Sequence, residues 1–140
     1  MNKILGFTGT RLGMTQYQKK IFYQLAKEID LKQFRHGDCI GSDKQAHTAI
    51  RRLKSKSIIV GHPPKYQKYR AFCKCDILTK PDNYLERNKA IVDNSDILIA
   101  TPNGKEKLRS GTWSTIRYAR KKQKPIYIIF PNGNVKKENV

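Results

Sequence analysis

Lys3-Ile4-Leu5-Gly6-Phe7-Thr8-Gly9-Thr10-Arg11-Leu12-Gly13 runs from an apolar strand pattern into a glycine-spaced loop, and Thr15 then opens a helix. A strand feeding such a loop and then an amphipathic helix is the start of a crossover to a parallel neighbour, because parallel strands cannot be joined by a tight turn. Two signals set the helix. Thr15 with Gln18 makes a capping box, and Tyr17, Ile21, Phe22, Leu25 and Ile29 recur at helical spacing.

The same alternation continues along the chain. Residues 33–36 predict a short second strand, after which Ser42 with Gln45 caps a helix carrying Ala46, Ala49, Ile50 and Leu53. Residues 57–60 predict a fully apolar strand ended by Pro63 and Pro64. Residues 65–82 are basic and aromatic and predict a loop over the site, with room for a short strand at 76–78. Asn83 with Glu86 then caps a helix reaching about Asn94, followed by a strand at 96–100, a helix at 112–122 and a strand at 125–130. Strands alternating with helices predict an α/β fold, a Rossmann-like three-layer domain with a mainly parallel sheet of about five strands. Residues 1–132 form this single domain, and residues 133–140 are expected to be a polar, frayed tail.

Composition narrows the function classes. The 29 Lys and Arg against 11 Asp and Glu leave a formal +18 on 140 residues, a field that attracts polyanions and keeps the protein in solution. A basic surface adapted only to solvent is the plainer alternative. The chain carries no apolar run of membrane-spanning length and no leader pattern, so a cytoplasmic protein with no membrane partner is expected. Cys39, Cys73 and Cys75 are odd in number, and Cys73-x-Cys75 is neither a usual zinc nor a redox spacing. Reduced thiols, no metal and no cofactor are therefore expected.

In a doubly wound sheet the loops after the strands gather on one edge, so candidate ligand residues are sought there. Gly9-Thr10-Arg11 offers backbone amides and a guanidinium fork to a phosphate, although the spacing is not the G-x-G-x-x-G of a nicotinamide site. Gly41-Ser42-Asp43 stands at a helix start, where amides favour an anion. Asp43 would repel one and suits a ribose hydroxyl, neighbouring amides or a capping role. His47 is either a packed helix residue or a catalyst, and packing is the commoner case. Thr101 follows the fourth strand, and Arg109 and Ser110-Gly111-Thr112 lead into the next helix with donors for a second phosphate. Trp113 either stacks on a base or fills the core, and a lone helical aromatic favours the core.

Together these runs, with His36-Gly37-Asp38-Cys39-Ile40-Gly41-Ser42-Asp43, Ala46-His47 and Glu86-Arg87-Asn88, resemble the SLOG superfamily, named for the DNA-processing protein DprA (Smf) and the LOG phosphoribohydrolases. The similarity extends over residues 3–130, and the nearest likeness is to small stand-alone members of the kind found in bacteria and bacteriophages. It implies a five-stranded Rossmann-like sheet with a nucleotide pocket at the strand ends. It also implies ligand contacts from Gly9, Thr10, Arg11, Gly41, Ser42, Asp43, Arg87, Asn88, Ser110, Gly111 and Thr112. Oligomers are common among such proteins, so a homo-oligomer is expected.

One departure bears on mechanism. LOG enzymes place a glutamate three residues after the threonine of P-G-G-x-G-T-x-x-E, where this chain has Thr115. A hydroxyl cannot stabilise a developing sugar cation as a carboxylate does. Glu86 and Glu106 are candidate catalytic substitutes, with a helix cap and a solvated loop charge as their plain alternatives. The reading that follows is a sensor or sequestering protein for a phosphorylated nucleotide or nucleotide-derived signal. The alternatives are a nucleoside 5′-monophosphate phosphoribohydrolase and, from the charge together with Tyr66, Tyr69 and Phe72, a DprA-like binder of single-stranded nucleic acid.

Overall fold

A computed structural model describes residues 2–140. The strands are β1 (Lys3–Gly9), β2 (Leu31–His36), β3 (Ile58–Gly61), β4 (Ile77–Leu78), β5 (Ile97–Thr101), β6 (Ile126–Ile129) and β7 (Val135–Glu138). The helices are α1 (Gln16–Glu28), α2 (Ser42–Leu53), α3 (Tyr84–Asp93) and α4 (Gly111–Lys121), with a 3-10 turn at Gln67–Tyr69. One sheet in the order β4-β3-β2-β1-β5-β6-β7 runs through the molecule, parallel except for β7. The α/β class and the three layers are as expected, but the sheet has seven strands where about five were expected.

Both additional strands lie at edges, where apolar alternation is not required. Gly133, with φ of +91°, turns the chain after Pro131, and Phe130 N donates to Asn134 O at 2.8 Å. Residues 135–138 then pair with β6, so this part of the expected polar tail is a strand. β4 has only two residues, held by Asp76 N on Ile59 O and Thr79 N on Gly61 O.

Thr15 caps α1 in the expected box, its hydroxyl accepting from Gln18 N and the Gln18 side chain accepting from Thr15 N. Asn83 caps α3 by accepting from Glu86 N at 2.9 Å. Ser42 does not cap α2. Gly41 holds that position with φ of +83° and no side-chain bond, while Ser42 and Gln45 are spent on the first loop. The positive φ at Gly41 favours glycine at the cap, and the Ser42 hydroxyl, one residue inside the helix, donates to Thr10 O instead.

Two cores hold the layers together. Phe7, Phe22, Phe34, Ile50 and Ile59 pack beneath α1 and α2, with Phe7 and Phe22 edge to face at 5.2 Å. Leu98, Trp113, Ile116 and Ile128 pack beneath α4. Trp113 is a core residue, 2% exposed, with Nε1 donating to Gly104 O. Strand order reverses across β1, whose partners are β2 and β5, and this opens a crevice at their carboxyl ends. Among the described residues no helix is long and apolar enough to cross a membrane.

Candidate functional site

The crevice is a cleft of about 500 Å3 lined by the β1 and β2 loops, the first turn of α3 and the segment leading into α4. Its first wall is the turn after β1. The Thr10 carbonyl accepts from Gly13 N, Ser42 N and Ser42 Oγ, the last at 2.6 Å, while Thr10 N donates to Thr101 O. Gln45 Oε1 accepts from Met14 N at 2.7 Å. The turn is thus clamped from α2 before any ligand arrives. A Cβ at Gly9 would run into Thr101 and Ser42, so only glycine fits between those two buried side chains. Gly41, Ser42 and Thr101 support the floor and do not line the cleft.

Arg11 is exposed, with its guanidinium carbon 3.8 Å from the centre of the Tyr69 ring. Residues 65–82 therefore back Arg11 and do not lie over the cleft, and none of them lines it. What holds them away is buried Asp38, whose carboxylate accepts from Arg70 Nε at 2.7 Å and from Cys73 N at 2.8 Å.

Arg87 forms the opposite wall. It is buried, with Nη1 donating to Gly37 O and His62 O, Nε to Asn88 Oδ1 and Nη2 facing Cys39 Sγ. Asp43 lies beside it, Oδ2 accepting from Gly37 N at 3.1 Å and Cys39 N at 3.2 Å. Burial pushes the Asp43 carboxyl up to about 6, against the opposing pull of Arg87 and the two amides. Asp43 is the one carboxylate among the residues lining the cleft.

The third wall is the entrance to α4. Ser110 caps the helix by accepting from Trp113 N at 3.2 Å, and a Cβ at Gly111 would meet nothing, so the backbone there is open to the cleft. First-turn amides have no intrahelical acceptor, so Gly111 and Thr112 leave donors at the wall of the cleft. Lys107 and Arg109 stand exposed on the same rim.

Thr115 is buried and donates to Gly111 O at 2.9 Å, outside the lining. Neither glutamate reaches the cleft. Glu86 points outward beside Lys89 at 3.7 Å, and Glu106 is taken by Arg117 and Arg120 at 3.2 and 3.0 Å. The cleft also gains Tyr84, Asn103 and Lys107, which the motif reading did not single out as ligand residues. The available signal was their position, each on a segment that starts at a strand's carboxyl end.

His47 packs against the sheet. Asp38 N donates to His36 Nδ1 at 2.9 Å, which puts the ring proton of His36 on Nε2, and that proton faces His47 Nδ1 at 3.0 Å. Cys73 is close enough to complete a three-ligand set with these histidines. A metal would need the Nε2 lone pair that this tautomer lacks.

Comparison with known proteins places this architecture. No protein-family model matches the chain, and no curated protein matches it. Solved structures do. A molybdenum cofactor binding protein from Rippkaea orientalis has a TM-score of 0.70 and 24% identity over 93% of this chain and 77% of its own. A molybdenum cofactor carrier protein from Chlamydomonas reinhardtii has a TM-score of 0.63 and 18% identity over 91% and 76%. DNA processing protein A from Streptococcus pneumoniae has a TM-score of 0.59 and 18% identity, over 89% of this chain and 49% of its own. The chain has the Rossmann-like fold of these proteins.

Proposed function

We propose that the chain binds a phosphorylated nucleotide or nucleotide-derived signalling molecule in the cleft and acts as a sensor or sequestering protein. The observation that carries this reading is one cleft in which Arg11, Lys107, Arg109 and the open α4 entrance face each other. About 500 Å3 is a volume suited to a ligand of that size. Arg11, Arg109 and the amides of Gly111 and Thr112 hold phosphate oxygens, and Asp43 accepts from a ribose hydroxyl. Gly9, Thr10, Arg87, Asn88 and Ser110 shape the walls, with Gly41, Ser42, Thr101 and Thr115 behind them. Binding is favoured over N-glycosidic hydrolysis because Glu86 and Glu106 are turned away and Asp43 is bonded to two amides.

The test is the ligand released by denaturing the purified protein, identified by mass spectrometry, followed by calorimetry with a panel of nucleotides and the molybdenum cofactor. An intact nucleotide is expected, and Arg11→Ala should weaken it about tenfold or more, as loss of a charge-assisted contact does. If free base is released instead and Asp43→Asn abolishes the release, the phosphoribohydrolase reading replaces this one.

A second reading, single-stranded nucleic acid binding, is favoured by exposed Tyr66 and Phe72, the latter beneath Arg70 at 4.4 Å. An oligonucleotide affinity that falls steeply with salt and is not competed by mononucleotides would establish it. A homo-oligomer in the cytoplasm belongs to the same proposal, supported by exposed Tyr17 and Tyr23 on α1. Light scattering of the purified chain measures it.

A further inference from the structure

A second recess of about 370 Å3 opens where the chain leaves β3 and β4 and meets α3. Arg87 borders it as well as the cleft, and Arg35, His62, Lys80, Asp82 and Asn94 complete the parts that matter. Arg35 comes from β2, whose neighbouring residues Phe34 and His36 face α2, so alternation along the strand sends it to the α3 side.

The charges here are unbalanced. Arg35 Nε donates to Gln33 Oε1 at 2.8 Å, and Nη1 lies 3.0 Å from His62 Nε2. A guanidinium can only donate, so His62 Nε2 must accept, and the ring must be neutral. Burial, Arg35 and Arg87 hold His62 down at about 4, in keeping with that form. Arg87 is satisfied by two carbonyls, an amide oxygen and a thiol. Among the described residues Arg35, Arg87 and Lys80 make no ion pair. The one carboxylate bordering the recess, Asp82, is exposed and already accepts from Asn83 N. Arg87 has the Asp43 carboxylate beside it and Lys80 stands exposed, but Arg35 is half-buried with only neutral partners, which is costly, and an anion from solution removes that cost.

We propose that this recess is a binding site for a phosphate-like dianion, gripped by the Arg35 fork and by Lys80, with the second Nδ2 hydrogen of Asn94 as a neutral donor, the first being given to Ala90 O. It is separate from the nucleotide cleft and does not depend on how that cleft is read. The volume admits an esterified phosphate as well as the free ion, and the recognising chemistry is the same for both.

Histidine ring resonances followed by NMR test it, titrating inorganic phosphate, sulfate and glycerol phosphate in turn at constant ionic strength. Each supported anion should shift the His62 ring saturably and raise its titration midpoint from about 4. Tighter glycerol phosphate assigns the occupant as an ester, tighter inorganic phosphate as the free ion. Lys80→Gln, at an exposed residue free of internal contacts, should weaken binding about tenfold, as should Arg35→Gln, while Arg11→Ala leaves it unchanged. A His62 ring indifferent to all three anions, or a Lys80→Gln protein that titrates like the parent, overturns the proposal.

Discussion

Gly41 is the residue on which the first wall of the cleft turns. Its φ of +83° lies in the left-handed region, and a Cβ there would strike the Arg11 carbonyl. Gly41→Ala must therefore move the very turn that Ser42 clamps, at a cost on the order of 3 kcal/mol. The expected result is a lower urea midpoint together with weaker ligand binding. A variant as stable as the parent would show that the turn is not held in this way. Gly9, Thr10, Arg11 and Ser110-Gly111-Thr112 could be read from sequence because glycine, arginine and small donors at strand ends form a local pattern. Asp43 could be only half read, since its partners Gly37 and Cys39 are fixed by a turn of the chain. Glu86 and Glu106 could not be read at all. Their direction depends on helix phase and on Arg117 and Arg120 arriving from α4.

Among the elements, the helices and interior strands were legible, because each must bury an apolar face at its own period. β7 was not, for its residues Val135-Lys136-Lys137-Glu138 are all polar but one and three are exposed. What makes it a strand is the Gly133 turn and the unpaired edge of β6. Its lysines also protect that edge against pairing with another chain. Glu138 binds Arg120 through both carboxylate oxygens at 2.7 and 3.0 Å. Glu138→Ala should cost about 1 kcal/mol or less, because the pair is partly solvated. Removing residues 134–140 should do more, leaving Ile126–Ile129 as a bare edge, and light scattering on heating should then show aggregation that the parent lacks. Equal scattering from both proteins would count against this role for β7.

At the scale of the whole molecule, buried titratable groups set an acid limit. His36 is kept neutral down to about 3, chiefly by burial and then by His47, and His62 down to about 4. Unfolded, both would charge near 6.5, so between those values the unfolded chain holds more protons. Their stabilisation is full above about pH 6.5 and is lost as pH falls toward 3, on the order of 5 kcal/mol for His36. Asp43 acts in the opposite sense. Its carboxyl is raised from 3.8 to about 6, so its contribution is present at low pH and is lost as pH rises through about 6. The urea midpoint should fall from pH 7 to pH 4, and more steeply in Asp43→Asn, which lacks the opposing carboxyl. A flat profile would mean that these groups are hydrated in the folded state.

The antiparallel return of β7 has a practical consequence. β1 leads from Lys3 toward the cleft, and β7 runs back from it, so Glu138 finishes beside Ile126 at the amino end of β6. A handle attached beyond either position would project from the far rim of the sheet. Protein anchored to a sensor chip by such a handle should present an unobstructed mouth to flowing analyte, and its association rates should match those measured free in solution.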